Sequence, residues 1–420
     1  MNLNTYFIKI KRRFRELWEF KIFRYAVLIH GFYFILSMIL TLIFFRDQND
    51  FLVYYEVGEV FITDINNLYS TEYLWPFRYF PISAAFFVPF YLLGFDLGFV
   101  LFNFINLILN ILSCILLYKI IILIKGKHHE REDNRIILYI SLFLIGLPNL
   151  FNYILGQINL YITFLILLSL YLFLKYETLK WDFISSLILG ISVIIKPITI
   201  FMIPFLLVVN FKFEQRKFKF NIKRSYIRLI GVLIPLSMNI IFFSIYPALL
   251  RGFITTNFTG DEPIIVNHSF SISKLILNFC IFFNIPYNSL LIILLILFII
   301  GGIGFLTYVF RRFNNNSIVL AYLFGILIML LAYYDSWTHH LLALTPILII
   351  LIFIIPRNSD ITKIYIKPSF FFLNFIDLGF MGIWFIIKNW FPFNFVSTIF
   401  LLLIFFGLIK YCLREDLKNY

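Results

Sequence analysis

Long, uninterrupted apolar runs dominate the chain and constrain its fold more than any other feature of the sequence. A helix needs about 20 apolar residues to span the hydrocarbon core, and only helices and closed barrels satisfy the backbone polar groups there. These runs do not alternate with polar residues, so they predict helices. The predicted spans are 25–45, 98–124, 136–151, 158–174, 183–195, 198–210, 228–246, 289–310, 317–334, 340–355, 369–387 and 395–412.

Composition excludes the other common classes of protein. The 420 residues are 61% hydrophobic and 14% charged, with a mean hydropathy of +0.92. A soluble domain is about 45–50% apolar and 25% charged. The three cysteines, Cys114, Cys280 and Cys412, are isolated and form neither a disulfide framework nor a metal-ligand spacing. We therefore expect an all-α polytopic membrane protein in which residues 1–420 form a single domain.

The net charge of +13 is explained by topology. With the N-terminus in the cytoplasm, 29 of the 35 Lys and Arg residues fall in predicted inner segments, including 119–135 and 212–228. This distribution follows the positive-inside rule, so nucleic acid is not expected as a partner. The six basic residues elsewhere are Arg46, Arg78, Lys196, Arg251, Lys274 and Lys388.

Polar residues concentrate in the predicted outer segments. The first outer loop, 46–97, begins with an acidic stretch and contains an apolar segment, 80–95, that carries two prolines. We expect this segment to be a juxtamembrane helix in the outer interface, because a further span would move 119–135 outside. The second large outer loop is 247–288, and a short polar turn covers 335–340.

Several residues in these regions are candidates for chemistry. Asp50 either ends the first span as a solvated acid or supplies a general base at a cavity mouth. The amides of Gln157 and Asn159 either bond sugar hydroxyls or belong to a tight turn. Lys196 lies between two apolar stretches, where burial costs about 2.5 kcal/mol or more, so it either pairs with a lipid phosphate or extends to the outer interface.

Other polar residues in or beside the predicted spans have two possible roles each, except for one that has no evident role. His339 and His340 are either interfacial residues beside Trp337 or ligands of a phosphate oxygen. Asn103, Asn106 and Asn110 share one helix face, where they join helices or line a cavity. No role is evident for Asp377, which lies in a late span.

Taken in order, the motifs resemble those of glycosyltransferase family 87, whose members are polyprenol-phosphate-sugar-dependent membrane transferases. The motifs are Asp50-Phe51 with Tyr54-Tyr55 and Asn67-Leu68-Tyr69, Tyr79-Phe80-Pro81 to Pro89, Gly156-Gln157-Ile158-Asn159, Gly190 to Lys196-Pro197, Asn267-His268-Ser269 and Ser336 to His339-His340. The chain departs from the family pattern at Phe80, His268 and Thr338, where the family commonly has Pro, Gln and an acidic residue.

The resemblance implies a GT-C-type fold with about 10–13 transmembrane helices and juxtamembrane helices in the first outer loop. It implies inverting transfer of a hexose, with mannose the best-known donor sugar, from polyprenyl phosphate to a lipid or glycan acceptor. Asp50 is then the base, and no metal or other cofactor is required. The implied phosphate-binding residues are Lys196, His339, His340, Arg251 and Arg78, and the implied sugar- or acceptor-binding residues are Tyr54, Gln157, Asn159, Asn267 and His268.

Three other functions fit the same helix-rich sequence. A lipid-linked sugar flippase is the main alternative, although transporters tend to show internal repeats and polar sites near the midplane. The second alternative is a different GT-C enzyme, and the third is a non-catalytic assembly subunit. Because the polar groups here gather at the predicted outer face, we expect an interfacial enzyme of the plasma membrane, with its site outside the cytoplasm.

Overall fold

The structure is a computed structural model that describes residues 14–126, 133–214, 217–259, 269–312, 316–387 and 391–414. The α-helices, numbered from Lys21, are α1 Lys21–Ile39, α2 Asp50–Thr63, α3 Pro81–Leu92, α4 Phe95–Lys125, α5 Asp133–Ile145, α6 Leu147–Leu155, α7 Asn159–Lys175, α8 Leu179–Ile195, α9 Ile203–Leu207, α10 Ile222–Ile245, α11 Pro247–Ile254, α12 Ile272–Phe282, α13 Ser289–Val309, α14 Ser317–Ala332, α15 Leu341–Ile354, α16 Lys367–Phe371, α17 Asp377–Ile386 and α18 Val396–Leu413. Short 3₁₀ turns (Ile65–Asn67, Pro197–Met202, Thr338–His340, Phe393–Phe395) and π turns (Leu40–Phe44, Thr255–Thr259, Ile361–Ile366, Phe372–Ile376) extend or join them.

Within the described ranges, seven helical stretches are long and apolar enough to cross a membrane. They are Lys21–Phe44, Phe95–Lys125, Asp133–Leu155, Ile222–Ile245, Ser289–Val309, Ile361–Ile383 and Phe393–Leu413. Shorter apolar helices of 10–17 residues complete the bundle, among them α7, α14 and the stretch Thr338–Ile354. The prediction of a polytopic helical membrane protein is confirmed.

Large apolar side chains are exposed on the outside of the bundle, as a lipid-facing surface requires. On α13, Phe298 is 80% exposed, and on α17, Ile386 is 83% exposed. By contrast, α14 is buried along its length. The hydrophobic core therefore lies around α14, while α13 faces outward.

Two helices form within residues 46–97, the predicted first outer loop. The structure places α2 at its start and α3 over the proline-containing segment, so the helix expected at 80–95 is present. The ring of Tyr54 on α2 stacks on Phe87 of α3, with 4.4 Å between centroids. This contact holds the first turns of α2 against α3.

Helix α8 ends at the Lys196-Pro197 step that the sequence marks as a break. Lys196 is extended (φ −148°, ψ 114°), the conformation that a following proline favours, and a 3₁₀ turn begins at Pro197. At the other end of α8, Asp182 accepts hydrogen bonds from Arg224 Nε (2.6 Å) and Arg228 Nη2 (2.9 Å) of α10. These ion pairs hold the first turn of α8 against α10, at the opposite end of the helix from Lys196.

A short antiparallel strand pair, which the sequence did not predict, lies in the basic segment before α10. Strand β1, Lys212–Glu214, pairs with β2, Lys217–Lys219, and Phe213 stands opposite Phe218. It is a local addition to a helical fold.

Candidate active site

Asp50 is the first residue of α2, a favourable position for a negative charge. The preceding Asn49 caps the helix by accepting a hydrogen bond from the Leu52 amide (3.0 Å). The carboxylate Oδ2 of Asp50 accepts a hydrogen bond from Gln157 Nε2 at 2.5 Å. In the described part of the chain Oδ1 has no hydrogen-bond partner, and the residue is partly exposed. One carboxylate oxygen is thus held while the other is available.

Gln157 is held rigidly by its backbone. It follows Gly156, which ends α6 in the left-handed conformation with φ +63°. A Cβ at Gly156 would lie 2.6 Å from the Cβ of Phe51, so both the conformation and the space require glycine. The Gln157 carbonyl oxygen accepts hydrogen bonds from Asn106 (3.2 Å) and Asn152 (3.0 Å). The Gly156-Gln157 motif therefore fixes where the glutamine side chain begins.

The side-chain amide of Gln157 joins an acid to a cation. Nε2 donates to Asp50, while Oε1 accepts from Tyr54 Oη (3.0 Å), Lys196 Nζ (3.3 Å) and Asn159 Nδ2 (3.3 Å). Four of the sequence-predicted residues thus converge on this one side chain.

Lys196 is a buried cation, 4% exposed. Its Nζ donates to Asn159 Oδ1 at 2.9 Å and lies 5.6 Å from the centroid of the Tyr79 ring. An ammonium group has three donors, and two are directed to Asn159 and Gln157. One donor is left for a ligand.

Tyr79 also belongs to the site, although the sequence alone indicates no role for it. Its hydroxyl lies 2.9 Å from that of Tyr54, and its carbonyl accepts a hydrogen bond from Tyr69 (2.6 Å). The sequence feature that could have pointed to Tyr79 is the Tyr79-Phe80-Pro81 motif. Its proline begins α3 and so fixes the chain that presents the tyrosine.

Burial raises the pKa of the Asp50 carboxyl to about 6, although part of the residue is exposed. The hydrogen bond from Gln157 and the charge of Lys196 lower this pKa, and Asp335 raises it. The carboxyl is therefore mostly ionised near pH 7 and close enough to that pH to accept and release a proton.

Asp335 is the centre of a second cluster of charged side chains, and the sequence alone did not indicate it as a site residue. Its carboxylate accepts from Arg78 Nη1 (2.7 Å) and from Trp337 Nε1 (2.6 Å). Arg78 and the buried Lys274 both lie beside the Tyr334 ring, 5.0 and 5.9 Å from its centroid. The predicted phosphate ligand Arg78 is thus already paired with a carboxylate.

The two histidines lie on the 3₁₀ turn Thr338–His340, within electrostatic reach of Lys196. His340 Nδ1 accepts a hydrogen bond from the Trp337 amide (3.0 Å), so in a neutral ring the proton is on Nε2. His339 instead stacks on Phe151, with 6.2 Å between centroids. The two rings therefore have different surroundings, and His340 has the defined donor.

Asp377, for which the sequence suggested no role, supports this turn. It accepts a hydrogen bond from Thr338 (2.7 Å) and another from Ser397 at the start of α18. The carboxylate thereby ties the histidine turn to the last two helices.

One predicted ligand, Arg251, is not brought into this group, and two others cannot be placed. Arg251 is exposed on α11 and contacts none of the other candidates among the described residues. Helix α11 packs against the residue that precedes α3, because Phe253 stacks on Phe80. Asn267 and His268 lie outside the described residues.

The fold and this site define a multi-pass membrane protein with a polar centre that holds an acid beside a buried cation. The model of glycosyltransferase family 87 matches residues 77–333, more than half of the chain. The chain therefore belongs to glycosyltransferase family 87, a GT-C-type family, and is a membrane glycosyltransferase. A comparison with curated proteins found no match.

The matched range contains part of the site. Gln157, Asn159 and Lys196 lie inside it, whereas Asp50 and the two histidines lie outside it. Asp50 and the histidines are candidates because of their hydrogen bonds and their proximity to Lys196.

Proposed function

We propose that the enzyme transfers a hexose, with mannose as the first candidate, from a polyprenyl-phosphate donor to a hydroxyl of a lipid or glycan acceptor. One observation carries the proposal: Asp50 and Lys196 bond the same side chain, Gln157. Sugar transfer needs a base at the acceptor oxygen and a cation at the leaving phosphate, and this arrangement supplies both in one site.

Asp50 acts as the base in this proposal. Its open oxygen Oδ1 takes the proton of the acceptor hydroxyl as that oxygen forms a bond to the anomeric carbon. The bond from the anomeric carbon to the phosphate oxygen breaks on the opposite face, so a single displacement inverts the configuration. The proton ends on Asp50 and the electron pair on the phosphate.

Lys196 and His340 are the groups best disposed to receive the phosphate. Lys196 has one donor left, and the Nε2 proton of His340 is a neutral donor. Arg78 would have to exchange its bond to Asp335 for one to phosphate, and Arg251 would have to approach from α11. We therefore assign leaving-group stabilisation first to Lys196 and His340.

The position of the site relative to the membrane also belongs to the proposal. The charge distribution favours a plasma-membrane protein with a cytoplasmic N-terminus, which puts α2, α3 and the histidine turn at the outer face. An amphiphilic donor with its lipid in the bilayer would present its phosphate at this depth. No metal and no nucleic acid enter the scheme.

The test is a transfer assay on the purified protein in liposomes with EDTA present. Radiolabelled polyprenyl-phosphate mannose and polyprenyl-phosphate glucose are offered separately, together with a lipid and glycan extract as acceptor. We expect label from one donor to appear in a new product. If labelled lipid instead crosses the bilayer and no product forms, the chain is a flippase and the proposal is wrong.

A further inference from the structure

We infer that Gln157 is a positioning residue for the base and the cation, rather than a ligand of the sugar. This inference rests on the proposed function and deepens it. The amide holds Oδ2 of Asp50 and Nζ of Lys196 at its two ends, so that Oδ1 of Asp50 and the remaining Lys196 donor face the substrates.

The hydrogen bonds fix the orientation of the amide. The 2.5 Å contact with Asp50 requires a donor, because an oxygen in that place would repel the carboxylate. The other end accepts from the ammonium group of Lys196 and from Asn159 Nδ2, which are donors only. A flipped amide would therefore lose these hydrogen bonds. Little of the side chain is left for a sugar, since Gln157 is 6% exposed.

A glutamine suits this place because it separates two opposite charges without adding one. Direct contact would neutralise Asp50 and Lys196 against each other, and the carboxylate would lose strength as a base. With the amide between them, each charge keeps one free side. The backbone bonds from Asn106 and Asn152 prevent the amide from moving away.

The hydrogen bond from Gln157 also affects the titration of Asp50. The charged and titratable groups that act on it are Lys196, Asp335, Tyr54 and Tyr79. The bond from Gln157 favours the ionised carboxyl, as does Lys196. Removing that bond should therefore raise the pKa of Asp50 and move the acidic limb of the reaction to higher pH.

The test replaces the amide and follows two readouts. Gln157→Met keeps the length of the side chain and removes its hydrogen bonds. Gln157→Glu keeps the acceptor for Lys196 but places a second carboxyl beside Asp50. The matched control is Gln48→Met, the same change at an exposed residue of the same outer loop. The readouts are the pH profile of transfer and an infrared titration of the protonated carboxyl band that Asp50→Asn lacks.

In both Gln157 variants we expect the midpoint of the carboxyl band and of the acidic limb to rise by about one pH unit or more. The turnover number should fall more than the Michaelis constant for donor rises, and Gln48→Met should behave as wild type. A band midpoint that stays at the wild-type value in Gln157→Met would overturn the inference. Because the infrared readout needs no turnover, that result is distinct from a wild-type protein that makes no product, which would overturn the proposed function.

Discussion

At the scale of the residue, the pKa of Asp50 gives the first prediction. The pKa is raised to about 6, chiefly by burial, and a base must be ionised to accept a proton. Below pH 6 the carboxyl is protonated and transfer should fall about tenfold per pH unit; above pH 7 it should reach a plateau. Initial rates between pH 5 and 8 check this, and a flat profile would contradict the role of Asp50.

Several of the side chains that meet in the structure are also candidates from the sequence, but the sequence does not give their pairings. Asp50, Gln157, Asn159 and Lys196 were singled out individually, and the structure joins them. Asp335 and Lys274 were missed as site residues. Their roles depend on contacts between segments far apart in the chain, such as Arg78 with Asp335, which hydropathy and spacing do not encode.

At the scale of the element, the turn after α6 gives the second prediction. Gly156→Ala forces an L-residue to keep φ +63° and brings its Cβ within 2.6 Å of the Cβ of Phe51. We expect a loss of stability of about 1 kcal/mol or more and a displaced Gln157. Gly31→Ala in α1 is the matched control, since its added Cβ would meet nothing within 4 Å.

Thermal unfolding in detergent measures both variants beside the wild type. Gly31→Ala should match or slightly exceed the wild-type melting temperature, because alanine is the better helix former. Gly156→Ala should melt lower and transfer more slowly. Equal melting temperatures for both variants would show that the turn does not need glycine.

Local chemistry allowed several elements to be predicted. Pro81 marks the start of α3, and Lys196-Pro197 marks the end of α8 because proline cannot continue the hydrogen-bond ladder. The β1–β2 pair could not be predicted, since its basic residues are also typical of an inner loop. The role of Asp377 could not be predicted either, because its partners Thr338 and Ser397 lie on other elements.

At the scale of the whole molecule, hydropathy alone predicts a helical membrane protein, because the bilayer leaves an apolar run few alternatives. Hydropathy does not tell which helices span. Helices such as α7 and α14 have 17 and 16 residues, fewer than a perpendicular span needs, and α14 is buried among its neighbours. The arrangement that collects Asp50, Lys196 and the histidine turn at one site is therefore a property of the folded bundle.

The most direct test of the central claim compares Asp50→Asn with Asp47→Asn in the reconstituted assay, with donor binding measured on the same preparations. Asp47 is an exposed carboxylate three residues earlier and is the matched control. We predict that Asp50→Asn lowers transfer by about 10²–10⁴-fold and still binds labelled donor, while Asp47→Asn transfers like wild type. Undiminished transfer by Asp50→Asn would contradict the assignment of Asp50 as the base.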